Sequence, residues 1–289
     1  MTKSTWRCLG AVPPSGLTSA RAQLHQAAQI VQSLGRSLLP PRADDSHSAM
    51  HYEPRLDALA GELVNGRHLA LRPSDLTLLY VDRDLRPTSE FALDRRTHRE
   101  AVDWLHAQLG GDAAVHKLDT PFEIAEHPIR TGEPYRLDGP RAHAELGTWF
   151  GNAAFVLQVV ADREPGAGRV LCWPHHLDIA TLIEVAPDDA SESAHTVGVG
   201  LSPGDEAINE PYFYVTPWPH PPDVTALGQP TPPARWYTDT FVALVLEGSE
   251  VVGHDSVDDQ RSVVTAYLDE CVPIARAAVT LPQKTPDSG

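Results

Sequence analysis

The stretch that decides the fold is VLCWPHHLDIATLIEV, residues 170–185. It follows the turn-rich segment DREPGAGR, residues 162–169, and its apolar and β-branched side chains predict one buried strand. Because strand side chains alternate between the two faces of a sheet, His176 and Asp178 are predicted to share one face. His175 then lies on the opposite, mostly apolar face. The stretch is therefore predicted to be a core strand that carries a polar pair.

Helices and strands are predicted in alternating groups along the rest of the sequence. Apolar spacing, capping residues and prolines predict helices over 18–35, after the capping box at Thr97, over 140–160 and after Ser256. Strands are predicted for a hairpin at 69–81, near 115, and at 121–129, 170–185, 196–201 and 212–216. Regular βαβ alternation and glycine-rich nucleotide fingerprints do not occur in the sequence. The pattern therefore favours an α+β fold with a mixed or antiparallel sheet covered by helices.

The charge and the apolar content limit the kinds of partner. The 289-residue chain has 23 Lys and Arg against 39 Asp and Glu, which gives a formal net charge of −16. Such a field repels phosphate backbones and anionic bilayer surfaces, so we expect no nucleic acid and no membrane as partner. No run approaches the roughly 20 apolar residues that span a bilayer. A small molecule is the partner class that remains, and the sequence leaves the oligomeric state open.

The cysteines and the first residues indicate a compartment. The opening of the sequence contains no apolar signal-peptide core, and the three cysteines lack disulfide-framework or zinc-ribbon spacing. The expected location is therefore the cytoplasm. For the domain organisation we expect an N-terminal extension over 1–17, a single α+β domain over 18–280 and a disordered tail over 281–289.

A second polar motif is SPGDEAINEPYFYVTPWP, residues 202–219. Asp205 and Glu206 directly follow a Pro-Gly turn signal, and Glu210 ends the loop just before an aromatic strand. If the sheet places this strand beside the histidine-bearing strand, these carboxylates meet the His–Asp pair across a cleft. The sequence therefore predicts one shared site rather than two separate polar patches.

Two kinds of chemistry suit such a site. A nearby carboxylate fixes the tautomer of an imidazole and raises its basicity, so His176 is a candidate general base or metal ligand that Asp178 orients. One imidazole with carboxylates also suits a divalent ion such as Mn, Fe or Zn, with His176, Asp178 and Glu210 as the predicted ligands. The alternative is that the pair and the acidic turn are polar groups satisfied within the fold.

The candidate residues fall into two groups. The candidate catalytic residues are His176, Asp178, Asp205, Glu210 and Tyr212. The candidate ligand-binding residues are His25, Gln29, His175, Glu206, Tyr214 and Trp218. Tyr212 and Tyr214 share one strand face and are predicted to shape the pocket and donate hydrogen bonds.

The segments WPHHLDIA, GLSPGDEAINEPYFYV and ARWYTDTF resemble a bacterial family without assigned activity, domain of unknown function 5996. That family typically shows a WPHHFD-like strand, then FSPGD, then EPYFY, and Leu177 here replaces its phenylalanine. LHQAAQIV fits an LHxxxQIV pattern through His25 and Gln29, whereas DSHSAMHYEP keeps only His47 and His51 of an NHWWH-like stretch. The resemblance implies that the two polar motifs belong to one shared feature, and it implies no substrate.

The sequence supports alternatives from different functional classes. Our leading hypothesis is an enzyme whose polar pocket is built from His, Asp and Glu side chains, with metal dependence as one form of it. The alternative is a non-catalytic module that holds a small molecule or a partner with its tyrosines and its proline-rich loop. A third reading is that the motifs only stabilise the fold.

Overall fold

A computed structural model describes residues 5–110, 124–185, 195–225 and 227–280. Within these ranges the chain forms five α-helices and eleven β-strands. The helices are α1 Thr18–Leu38, α2 His98–Gln108, α3 Pro140–Arg163, α4 Gly248–Val252 and α5 Val257–Thr280. The helices predicted over 18–35 and 140–160, the capping box at Thr97 and the final helix are therefore confirmed.

The eleven strands form one sheet in which each hydrogen-bonded pair is antiparallel. The strands are β1 Met50–Glu53, β2 Ala58–Gly61, β3 Arg67–Arg72, β4 Thr77–Asp82, β5 Pro87–Ala92, β6 Leu171–Trp173, β7 Asp178–Val185, β8 His195–Ser202, β9 Tyr212–Trp218, β10 Arg235–Tyr237 and β11 Ala243–Glu247. Their order across the sheet is β10-β11-β9-β8-β7-β6-β1-β2-β3-β4-β5. The predicted α+β class with an antiparallel sheet is confirmed.

The stretch 170–185 is a hairpin, so its prediction as one strand is wrong. β6 ends at Trp173, residues 174–177 form the turn, and β7 begins at Asp178, which pairs with Trp173. Pro174 lacks a backbone N–H and cannot continue the ladder, and Leu177 adopts a left-handed conformation with φ of 59°. The Leu177 N–H closes the turn on the Trp173 carbonyl at 2.7 Å. His176 lies in the turn and Asp178 in the strand, so the prediction that they share one strand face does not apply.

Other strand predictions have mixed outcomes. The hairpin at 69–81 is confirmed as β3 and β4 joined at 73–75. The strands at 196–201 and 212–216 are confirmed as β8 and β9. The prediction near residue 115 lies outside the described residues. The strand at 121–129 is wrong in its described part, because Pro128–Thr131 forms a 3-10 helix.

The segment predicted as an N-terminal extension packs into the main core. Trp6 and Leu9 are each only 4% exposed and belong to the same hydrophobic cluster as the central strands. The Gln260 side chain on α5 accepts from the Leu9 N–H at 2.9 Å and donates to the Leu9 carbonyl at 3.0 Å. Residues 5–17 are thus part of the packed structure, and the predicted tail at 281–289 lies outside the described residues.

The two faces of the sheet differ around β7, β8 and β9. Helix α3 contacts β7 and β8, and α5 contacts β8, β9 and β11. Phe213 and Val215 are fully buried on this side, where Tyr267 of α5 donates to the Phe213 carbonyl. The alternate residues Tyr212 and Tyr214 consequently lie on the opposite face. None of the helices in the described ranges is long and apolar enough to cross a membrane.

The close packing of α1 on the loop before β1 gives a test of the fold. A β-carbon on Gly35 would overlap the carbonyl oxygen of His47. Alanine favours a helix over glycine by about 1 kcal/mol, whereas an overlap with main chain costs about 3 kcal/mol. We therefore expect Gly35→Ala to lower the free energy of unfolding by about 2 kcal/mol, measured by urea denaturation.

Gly168→Ala is the matched control. A β-carbon there would lie 3.5 Å from the Leu182 carbonyl oxygen, which is an ordinary van der Waals contact. Its free energy of unfolding should stay within about 0.5 kcal/mol of that of the native chain. Equal stability of the two variants would contradict the tight approach of α1 to His47.

Candidate functional site

A cavity of about 440 Å³ opens on the sheet face opposite α3 and α5. It lies over β7, β8, β9 and β11, with the turn at 174–177 and the loop after β8 at its edge. Its polar lining comes from His176, Asp178, Ser202, Asp205, Thr216 and His220. Its aromatic and apolar lining comes from Tyr212, Tyr214, Phe241 and Ala243. Both polar sequence motifs therefore contribute to one cavity.

The centre of the cavity wall depends on a glycine. Tyr214 of β9 extends across β8 and donates from its hydroxyl to Asp178 Oδ2 of β7 at 2.5 Å. Gly200 lies between them, because it pairs with Tyr214 on one side and with Ala180 on the other. A β-carbon on Gly200 would lie 2.6 Å from the Tyr214 hydroxyl oxygen. The missing side chain of Gly200 thus allows a contact that spans three strands.

Asp178 is the most unusual ionisable group of the site. Its Oδ2 accepts the Tyr214 hydrogen bond, whereas its Oδ1 is buried and has no hydrogen-bond partner among the described residues. Burial raises the pKa of Asp178 above its ordinary value, and it outweighs the opposing effect of the Tyr214 hydrogen bond. The carboxyl group therefore has one occupied oxygen and one that lacks a donor.

Asp205, in contrast, is fully satisfied by its own loop and by a tyrosine. Its Oδ1 accepts from the Ala207 and Ile208 N–H groups at 2.8 and 2.9 Å. Its Oδ2 accepts from the Tyr212 hydroxyl at 2.6 Å. Burial and the adjacent Asp205 carboxylate both raise the pKa of Tyr212, which keeps this phenol neutral. Asp205 holds the loop and orients Tyr212.

The two histidines of the turn have different surroundings. His176 is exposed and lines the cavity. His175 is half-buried, with its ring centroid 4.5 Å from that of His176 and 6.3 Å from that of Trp173. Burial, with a further contribution from His176, lowers the pKa of His175. His176 is the histidine that a bound molecule can reach.

His25 and Gln29 of α1 hold this turn in place. His25 Nε2 donates to the Pro174 carbonyl at 2.9 Å, and Gln29 Nε2 donates to the same oxygen at 2.8 Å. Burial lowers the pKa of His25, so the ring stays neutral and keeps its hydrogen bond. The sequence analysis assigned both residues to ligand binding, but the structure places them behind the turn, outside the cavity lining.

Besides His25 and Gln29, four predicted residues lie outside the cavity lining, namely His175, whose surroundings are given above, Glu210, Glu206 and Trp218. Glu210 Oε1 accepts from the Ser249 N–H in the first turn of α4 at 2.9 Å. Glu206 is exposed. Trp218 is 55% exposed and meets His220 edge-on, with ring centroids 5.0 Å apart.

The metal set His176, Asp178 and Glu210 is therefore not brought together. In the part of the chain that the structure describes, no group of three or more His, Cys, Asp or Glu side chains could hold a metal ion. Glu210 instead satisfies one of the backbone N–H groups that every helix start leaves without an internal partner. The metal centre predicted on these three residues is thus not assembled in the described part of the chain.

Several lining residues were missed by sequence reasoning. Thr216 shares the strand face of the two predicted tyrosines, so two-residue alternation could have identified it. Ser202 lies opposite Tyr212 across the β8–β9 pair, Phe241 lies just before β11, and Ala243 is the first residue of β11. Their contribution depends on strand order, for which the sequence carries no local signal.

Comparison with protein-family models, with curated proteins and with solved structures finds no match to this chain. The resemblance to domain of unknown function 5996 thus rests on its quoted motifs alone and stays a prediction. Any function assigned to the cavity has to be argued from its geometry.

The raised pKa of Asp178 predicts a pH-dependent difference between this residue and asparagine. The folded protein keeps the Asp178 proton to a higher pH than the unfolded chain, whose ordinary value is 3.8. Stability is consequently lost as pH rises from 3.8 through the folded pKa. We expect Asp178→Asn, which can still accept from Tyr214, to gain stability relative to the native chain across that window. Urea denaturation at a series of pH values measures the difference.

Glu184→Gln is the control for this experiment. Glu184 is an exposed residue of the same strand, β7, so the same change of carboxylate to amide should leave the pH profile of stability unchanged. Identical profiles for Asp178→Asn and Glu184→Gln would contradict the burial of the Asp178 carboxylate.

The hydrogen bond from Gln29 of α1 to the Pro174 carbonyl predicts a loss of folding stability when Gln29 is changed. Gln29→Met keeps the volume but removes the donor to Pro174 and the acceptor that Gln32 uses at 3.1 Å. Unsatisfied buried groups cost about 1–3 kcal/mol, and we expect a loss in that range by urea denaturation. Gln158→Met is the control, because Gln158 is exposed and its side chain donates to Asp162 on its own helix. A loss no larger than that of the control would show that His25 alone holds the turn.

Proposed function

We propose that the cavity is the active site of an enzyme that transfers a proton to or from a bound small molecule. The observation that carries the proposal is the Asp178 carboxyl group, which lines the cavity and accepts a hydrogen bond from Tyr214. Its Oδ1 is one of six buried side-chain polar atoms without a hydrogen-bond partner in the described residues, and of these six residues Asp178 alone lines this cavity. An incompletely paired carboxylate costs stability, so its place on the cavity wall favours a functional role.

Asp178 has the properties of a general base. A carboxylate whose pKa is raised by burial is a stronger base than an exposed one, and it operates closer to neutral pH. The Tyr214 hydrogen bond fixes the orientation of the carboxyl group at the wall of the cavity, where the carboxylate would accept the proton. Burial raises the pKa of Tyr214 well above its ordinary value, and the phenol therefore remains a donor.

His176 is the second acid–base group of the proposal. Its exposed ring at the edge of the cavity can exchange protons with solvent, which the buried Asp178 does only through the cavity. The turn that carries His176 is fixed from behind by His25 and Gln29, which makes these two positioning residues. In this division of roles, Asp178 reacts with the bound molecule and His176 restores its proton state.

The size and lining of the cavity favour a small organic molecule. A volume of about 440 Å³ falls within the roughly 300–1,000 Å³ of typical small-molecule sites. Tyr212 and Phe241 are stacked with ring centroids 6.1 Å apart, and Phe241 also packs on Tyr237 at 4.6 Å. These rings offer an apolar wall beside the polar one. We take α3 and α5 to cover the other face of the sheet, which leaves this face for the substrate.

The proposed compartment and partner class are those that the sequence suggests. We propose a cytoplasmic enzyme, because all three cysteines are unpaired and two of them, Cys172 and Cys271, are buried. The net charge of −16 favours a small-molecule partner over nucleic acid. The proposed chemistry needs no metal ion.

Turnover by matched variants tests the proposal. The native chain is incubated with a defined mixture of small metabolites in buffer, and one-dimensional NMR follows the loss of any component. We expect Asp178→Asn to slow the loss of that component at least 100-fold, which is typical for removal of a general base. Tyr214→Phe should slow it less, because the carboxylate remains. Glu184→Gln, exposed on the same strand, should react at the native rate.

The pattern across these variants decides between the alternatives. Equal turnover by the native chain and Asp178→Asn would show that Asp178 is not the base. Binding of a component without turnover would favour the non-catalytic module instead.

A further inference from the structure

The ionisable lining of the cavity that we propose as the active site includes two acidic residues but no lysine or arginine. The two acidic residues are Asp178 and Asp205. Arg21, the cation whose field reaches Asp205 and Tyr212, donates to Asn209 at 3.2 Å and does not line the cavity. An anionic ligand would thus meet two carboxylates with no fixed cation to pair with.

The carboxyl group of Asp178 is not fully used by the fold. Its Oδ2 accepts from Tyr214 and its buried Oδ1 has no partner among the described residues, whereas both oxygens of Asp205 are occupied. A carboxylate offers about four acceptor positions, so an N–H or O–H group of a ligand can still pair with Asp178 from the cavity side. A hydrogen bond with an ionised donor or acceptor is roughly twice as strong as a neutral one, and a cationic donor adds its Coulomb attraction to the carboxylate.

Aromatic rings flank the same space. Tyr212, Tyr214 and Phe241 line the cavity, and Tyr212 and Phe241 are stacked. The face of an aromatic ring attracts a cation, with about 0.5–2 kcal/mol for each favourable contact. The rings also accept the apolar part of an organic molecule. A cavity wall with two carboxylates beside aromatic faces is thus complementary to an organic ammonium ion.

We propose that the natural ligand of this cavity is a small organic molecule with a protonated amino group, whose N–H donates to the Asp178 carboxylate while its apolar part lies against Tyr212 and Phe241. The inference rests on the proposed active site for its location. It adds the chemical class of the substrate, which excludes carboxylates, phosphates and neutral alcohols as preferred ligands.

Four probes of similar shape test this proposal directly. Benzylammonium carries the charge and the N–H donors, benzyltrimethylammonium keeps the charge without donors, benzyl alcohol keeps a donor without charge, and benzoate reverses the charge. Binding of each to the full chain is measured by ligand-observed NMR and calorimetry. We expect benzylammonium to bind about tenfold or more tightly than each of the other three, a difference of about 1.4 kcal/mol.

Two variants, Asp178→Asn and Glu184→Gln, test whether the preference for benzylammonium arises at this cavity. The asparagine variant should lose most of the preference for benzylammonium over benzyl alcohol, because its amide carries no charge while Asp205 and the aromatic rings remain. Glu184→Gln should keep the native preference, since Glu184 is exposed and outside the cavity lining. A preference of undiminished size in Asp178→Asn would overturn the proposal.

The pH dependence of binding is a second readout. The ionisable groups that face Asp178 are His175 and His176 from the turn, Tyr212 and Tyr214 from β9 and Cys172 from β6. Affinity for benzylammonium should rise with pH as Asp178 loses its proton and as His175, whose pKa is lowered by burial, loses its charge. Asp178→Asn should keep only the histidine part of this rise, and the same curve in both proteins would overturn the proposal.

The outcomes separate this inference from the proposed function. Equal or tighter binding of benzyl alcohol or benzoate, or no binding by any of the four probes, overturns the ammonium class. Asp178-dependent turnover of a metabolite in the earlier experiment would still support the proposed function. Selective binding of benzylammonium that Asp178→Asn abolishes, with turnover unaffected by that variant, supports the inference while the proposed function fails.

Discussion

The turn at 174–177 is the constraint on which the rest of the structure depends. It reverses the chain between β6 and β7, and β6 pairs with β1 on its other side. The three-residue strand β6 therefore joins the β1–β5 half of the sheet to the β7–β11 half. The turn is held by its own Leu177–Trp173 hydrogen bond and by two donors from α1 on the Pro174 carbonyl. One carbonyl oxygen thus couples the first helix, the sheet junction and the histidines of the cavity.

The cavity exists because the central strand β8 gives up side-chain volume. Gly198 and Gly200 face Thr216 and Tyr214 of β9, and a β-carbon on either glycine would contact those side chains at 2.9 and 2.6 Å. Glycine weakens a strand, because it loses more backbone entropy on folding and contributes no packing. The glycines destabilise β8, but they leave the space in which Tyr214 of β9 crosses the strand and donates to Asp178 of β7.

The sequence predicted those features that depend on neighbouring residues. The Thr97 capping box, the hairpin turn at 73–75 and the long helices follow from patterns a few residues apart. The turn at 174–177 was missed because its left-handed residue is Leu177, and leucine gives no turn signal. The strand propensity of the flanking residues then favoured one continuous strand.

The sequence predicted which residues line the site better than it predicted what each residue does there. His176, Asp178, Asp205, Tyr212 and Tyr214 do line one cavity, because both motifs flank the adjacent strands β7, β8 and β9. Glu210 was assigned to the same site, but its carboxylate serves the backbone of α4. Sequence spacing reports that two side chains are near each other along the chain. It does not report which of several donors a carboxylate will accept from, and that choice separates a ligand from a structural residue.

The contrast between Asp178 and Asp205 carries the argument for function further than either residue alone. Both carboxylates line the cavity, and both accept a short hydrogen bond from a tyrosine. The fold completes Asp205 with two backbone N–H groups but supplies nothing to Asp178 Oδ1. If the two carboxylates served only to stabilise the sheet, the missing hydrogen bond at Asp178 would cost about 1–3 kcal/mol of folding free energy with no gain to offset it. The carboxylate that the fold leaves incompletely paired lies at the wall of a cavity, and this placement is what supports the functional role proposed for Asp178.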